Sequence, residues 1–74
     1  MTTAIDPPSG YFDLSGERAK FYESADGTYW QVMTDDRVVA VLHRDEKGWF
    51  GDSESKKRFL DPEEAARLAR AGRI

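Results

Sequence analysis

The chain has no cysteine. Disulfides and thiolate metal sites are therefore excluded, and the absence fits a reducing, cytoplasmic compartment. It has no asparagine either, so N-glycosylation has no acceptor. The longest apolar run, Val38 to Leu42, is far shorter than the roughly 20 residues a membrane helix needs, and no membrane partner is expected. Met1-Thr2-Thr3-Ala4-Ile5-Asp6 carries neither a basic stretch nor an apolar run and does not read as a signal peptide. The glycines are dispersed, so no phosphate-cradling loop is present.

Chemistry is sparse too. His43 is the only histidine, and a catalytic triad needs a nucleophile and an orienting acid around it. Ser24, Ser53 and Ser55 fall in turn-like segments with no spacing that links them to His43, which reads as a strand-end histidine. Asp35-Asp36 and Asp45-Glu46 are carboxylate pairs, but turn chemistry explains them. Asp52-Ser53-Glu54-Ser55 opens like a calcium loop. It lacks the glycine at the sixth position and places Lys56 and Lys57 where ligands and the bend belong. No catalytic residue, metal or cofactor is expected.

What is present is a single small domain of 74 residues, short enough that its core alone gives modest stability. Eleven basic against 14 acidic side chains leave a net charge of −3. A protein held on nucleic acid by counterion release is normally basic. The imbalance is uneven: residues 1–51 hold five basic and nine acidic groups, residues 52–74 six and five. The basic groups gather in a tail whose Arg, Ala and Glu content is typical of GC-rich bacterial or phage genomes.

Residues 1–10 contain Pro7, Pro8, Ser9 and Gly10 and read as a flexible lead-in to a domain over 11–74. Asp26-Gly27 is the best hairpin turn, joining strands at 19–24 and 28–34. Asp35-Asp36 leads into a strand at 37–44, and Asp45-Glu46-Lys47-Gly48 into a short one at 49–51. Residues 11–14 and 57–59 are further candidates for extended chain. A helix follows: Asp61 is its N-cap, Pro62 occupies N1, and Glu64 at N3 makes an acidic capping box. Leu60 is placed to staple onto Ala65. Glu63 and Arg67 have i, i+4 spacing, and Gly72 suits the C′ stop. Ala65, Leu68, Ala69 and Gly72 share one helix side, with Arg67, Arg70 and Arg73 opposite. The expected fold is α+β: an antiparallel meander of three to five strands with one C-terminal helix on one face.

The aromatics come in adjacent pairs: Tyr11-Phe12, Phe21-Tyr22, Tyr29-Trp30 and Trp49-Phe50. Neighbours in a strand point to opposite faces, so each pair puts one ring on each side of the sheet. Two-residue first and second turns would place Phe21, Trp30, Val32, Val39 and Val41 on a core face, with Phe50 there and Trp49 opposite if the third loop has four residues. Tyr22, Tyr29, Gln31, Met33, Val38, Ala40 and Leu42 then share the other. One short helix covers one face only. The second must be covered by Tyr11, Phe12 and Leu14, by a second copy of the chain, or by a ligand.

The leading expectation is a non-enzymatic module (adaptor, inhibitor or regulator) that binds a protein partner through Tyr22, Tyr29, Met33 and Trp49, with a homodimer as one form of this. The alternative is nucleic-acid binding through Lys56, Lys57, Arg58, Arg67, Arg70 and Arg73. Strands followed by a helix opening Asp61-Pro62-Glu63-Glu64-Ala65-Ala66 are similar in layout to small three-stranded DNA-binding modules such as the arm-binding domains of tyrosine integrases. That resemblance implies DNA contact by the basic tail.

Overall fold

A computed structural model describes residues 7–51, 54 and 56–73. Five strands follow one another: β1 Gly10–Leu14, β2 Glu17–Glu23, β3 Tyr29–Thr34, β4 Arg37–Asp45 and β5 Gly48–Phe50. They pair antiparallel in chain order, β1-β2-β3-β4-β5. The sheet curls into a half-barrel, and helix α1, Pro62–Arg70, packs against β4, β1 and β5. The expected α+β meander is therefore the fold, at five strands rather than the three of the DNA-binding layout.

Turn chemistry sets each hairpin. Ser15 and Gly16 both take positive φ in the two-residue β1–β2 turn, as such turns require. The β2–β3 connection is longer than Asp26-Gly27 alone, because the ladder ends at Glu23↔Trp30. Its register is nonetheless the expected one, with Phe21 opposite Val32 and Tyr22 opposite Gln31. Asp26 organises this loop by accepting from the Ser24 hydroxyl (2.6 Å), the Thr28 hydroxyl (2.7 Å) and the Thr28 N–H (3.1 Å).

The β3–β4 register differs from the expectation. Met33 faces Val38, but Val32 faces Ala40 and Trp30 faces Leu42. Val39 is an extra residue, a β-bulge. Beyond it every β4 and β5 side chain changes face relative to β3, since the pleat has a period of two. Ala40, Leu42 and Trp49 turn to the core, whereas Val41 and Phe50 turn away from it. A bulge also strengthens the local twist, which favours the curl that brings β1 and β5 to one helix.

The core lies on the concave side and consists of Phe12, Leu14, Ala19, Trp30, Val32, Ala40, Leu42, Trp49, Ala65 and Ala66, with Phe21, Val39, Phe59 and Ala69 packed against it. Four rings form its centre. Phe21 stacks on Trp30 at 3.7 Å between centroids, and Trp30 meets Trp49 at 5.2 Å and Phe12 at 6.1 Å. Phe12 and Leu14 reach this core from an edge strand. They do not fold over the outer face as a lid. Of the lead-in, Ser9 already joins the sheet: its N–H donates to Phe21 O, and its hydroxyl accepts from the Glu23 N–H. Residues 1–6 lie outside the described residues.

The helix begins at its expected N-cap, without the reciprocal Glu64 bond of a capping box. Asp61 accepts from the Glu63 N–H at 2.9 Å. It ends in a Schellman motif: Gly72, at φ +73, donates to Ala69 O and Arg73 to Leu68 O. The staple is absent, for Leu60 is 93% exposed. Arg67 and Arg70 are not on an outward face. Arg67 donates to Asp13 O and Arg70 to Leu14 O, and Arg70 also pairs with Glu17. These long side chains tie the small-residue helix face to the β1–β2 hairpin.

Candidate functional site

The convex face of the sheet is the side the helix leaves open, and β2 shows how the sequence builds it. Along Glu17-Arg18-Ala19-Lys20-Phe21-Tyr22-Glu23, alternation sends Glu17, Ala19, Phe21 and Glu23 to the concave side. Both carboxylates find partners there: Glu17 pairs with Arg70, and Glu23 accepts from the Trp30 indole N–H at 3.1 Å. Arg18, Lys20 and Tyr22 go to the convex side. One strand thus separates its acids from its cations.

Cross-strand pairing arranges this face in rows. Tyr29, His43 and Phe50 stand opposite one another on β3, β4 and β5. Their rings are in contact: Tyr29 meets His43 edge-on at 5.6 Å, and His43 meets Phe50 at 5.5 Å. The Trp49–Phe59 bridge holds the segment before the helix beside β5. Arg58 then lies 3.8 Å above the Phe50 ring while its Nε donates to Asp45 at 2.9 Å. The next row is Tyr22, Gln31 and Val41, and beyond it lie Tyr11, Lys20, Met33 and Val38. Tyr11 is 55% exposed, Val38 48% and Tyr29 36%; the others are half-buried. Arg18 lies over the Tyr11 ring at 4.8 Å.

Of the side chains expected to form a binding surface, Tyr22, Tyr29 and Met33 share this face. Trp49 does not: it is 6% exposed and packs in the core, because the bulge reverses β4 and β5. The same reversal delivers Phe50, Val41 and His43, which sequence reasoning had not placed here. Their signal was in the sequence, since Phe50 is the neighbour of Trp49 and one must face outward.

The basic tail is dispersed. Arg67 and Arg70 are held on the β1–β2 hairpin, Arg58 is paired with Asp45, and Lys56, Lys57 and Arg73 are exposed. Ser53 and Ser55 lie outside the described residues. No cluster of metal-ligating side chains occurs among the described residues, and none of their buried polar side-chain atoms lacks a partner. No helix among them is long and apolar enough to cross a membrane. Two carboxyls are shifted. The Ser24 hydroxyl, then Thr28 through its hydroxyl and N–H, lower Asp26 to about 2. At Asp45 desolvation acts upward but is outweighed by the Lys47 N–H and Arg58, so its carboxyl lies below the ordinary range. Both serve turns. Comparison with protein-family models, with curated proteins and with solved structures finds no match to this chain.

Proposed function

We propose that this chain is a small non-enzymatic interaction module, an adaptor, inhibitor or regulator of another protein, and that it docks its partner through the convex sheet face. The observation that carries this reading is the row Tyr29–His43–Phe50–Arg58, with Tyr22, Met33 and Tyr11 beside it, on the side the helix leaves open. A solvent-facing side of an antiparallel sheet folds well with polar residues, so stability does not call for these rings. Aromatics, methionine and arginine are the types enriched where protein surfaces meet. A tyrosine there buries its ring and keeps its hydroxyl for water or a partner. Nucleic-acid binding by the tail is the weaker reading, since Arg58, Arg67 and Arg70 are already engaged.

The test is affinity capture from source cells with the whole chain. The wild type is compared with Tyr29→Ser/Phe50→Ser on the convex face and Lys56→Glu/Arg73→Glu in the tail. All three should give the same far-UV circular dichroism. The expected result is a protein retained by the wild type and the tail variant and lost by the face variant. Loss with the tail variant alone, or recovery of nucleic acid instead of protein, overturns the reading.

A further inference from the structure

Resting on that reading, we infer that the convex face takes an extended acidic segment of its protein partner, with a carboxylate at Arg18 and Lys20 and apolar side chains on Tyr22, Met33 and Tyr29. The convex face carries the cations Arg18, Lys20 and Arg58 and the carboxylates Asp13 and Asp45. Asp45 is taken by Arg58; Asp13 stands across from Arg18 without reaching ion-pair distance and accepts from the Gly16 N–H at 3.4 Å. Among the described residues no carboxylate lies within ion-pair distance of Arg18 or Lys20. Lys20 is half-buried between Tyr11 and Met33. The two border a shallow groove of about 260 Å³ that Tyr11 and Met33 also line, with Asp35 at one end. A half-buried ammonium among apolar groups gains most from a carboxylate brought by the ligand.

Size and ring geometry decide between occupants. Strands about 4.8 Å apart and rows about 6.8 Å apart give a patch roughly 20 Å on a side, about 400 Å². A stable interface buries about 800 Å² per partner, and two convex faces touch over only part of their area. A second copy stacked face to face therefore falls short of a stable dimer, whereas a segment that follows the curve can use the whole patch for a weaker, transient contact. An extended segment of six or so residues spans about 20 Å and bends over the curve. Nucleobases need open ring faces. Here Arg58 covers Phe50, Arg18 covers Tyr11, and Tyr29 and His43 meet edge to face. A protein segment needs only their edges.

The experiment selects random dodecapeptides displayed on phage against the whole chain, then maps the enriched peptides by amide chemical shifts. Single-stranded oligothymidylate is the polyanion control, and sedimentation of the free chain reports self-association. The expected outcome is peptides with Asp or Glu within a few residues of a large apolar side chain, shifting Lys20, Tyr22 and Met33. Lys20→Glu should weaken them roughly tenfold or more, and Lys20→Arg by less than about threefold. Peptides that shift the convex face without acidic bias and ignore Lys20→Glu overturn the acidic segment but leave the docking face standing. No enrichment, or shifts confined to the helix side, overturns both. Submicromolar oligothymidylate binding, or a dimer dissociated by Lys20→Glu, replaces the segment with nucleic acid or a second copy.

Discussion

Trp49→Ala and Phe50→Ala, two neighbours on one short strand, should have very different effects on stability. Trp49 is 6% exposed, touches Trp30 at 5.2 Å, and exchanges backbone hydrogen bonds with Phe59. A buried tryptophan removes about 200 Å² from water, which at 25 cal/mol per Å² is about 5 kcal/mol. Truncation to alanine then costs about 3–5 kcal/mol. A domain of this size has about 4–11 kcal/mol in total, so the variant should lose a large share of its stability and, at the low end of that range, unfold. Phe50 is half-buried on the opposite face and packs on Arg58 and His43. Losing a cation–π contact of about 0.5–1 kcal/mol and some half-buried area should cost less than about 2 kcal/mol. Urea melts followed by far-UV circular dichroism, at a slope near 1 kcal/mol per M, should separate the midpoints by 1 M or more. Equal midpoints, or a lower one for Phe50→Ala, would refute the bulge-shifted register and the face assignment with it.

Three further outcomes follow from the same geometry. Asp61→Ala removes the cap on the Glu63 N–H and should cost about 1 kcal/mol in a urea melt; no change would mean the cap is idle. Gly48→Ala should be worse, since φ is +133 and the new Cβ would sit 2.6 Å from Phe59 O. A cost of roughly 1–3 kcal/mol is expected, with loss of amide protection at Trp49 and Phe59 as the reading. The folded-state pKa of Asp26 is depressed to about 2, so its contribution to stability is present above the unfolded value near 3.9 and fades as pH falls from about 4 to 2. Asp26→Asn should flatten that part of the stability–pH profile, and an unchanged slope would show that the loop network does not matter.

Much of the fold was legible in local chemistry. Asp61-Pro62 and Gly72 mark the helix ends because capping is a short-range interaction, and the observed caps agree. The β2–β3 and β4–β5 registers were also readable. The β3–β4 register was not. Val38-Val39-Ala40-Val41-Leu42 is apolar throughout, so alternation gives no phase, and a bulge at Val39 costs the pattern nothing visible. That one-residue slip exchanged Trp49 for Phe50 and hid the aromatic row. The inward turn of Arg67 and Arg70 was hidden for a different reason. A helical wheel sorts side chains by angle, while a long guanidinium reaches around the helix to carbonyls some 54 residues away in sequence.

The most direct measurement of the central claim is hydroxyl-radical footprinting of the chain, free and with its captured partner. In the free chain Tyr11, Tyr29 and Met33 should be modified readily, and Trp30 and Trp49 slowly despite the high intrinsic reactivity of indole. With the partner bound, protection should fall on Tyr22, Tyr29, Met33, His43 and Phe50, while Leu60 and Leu68 on the helix side stay unchanged. Protection at Leu60, Leu68 or the tail, with the convex face still modified at its free rate, would contradict the account.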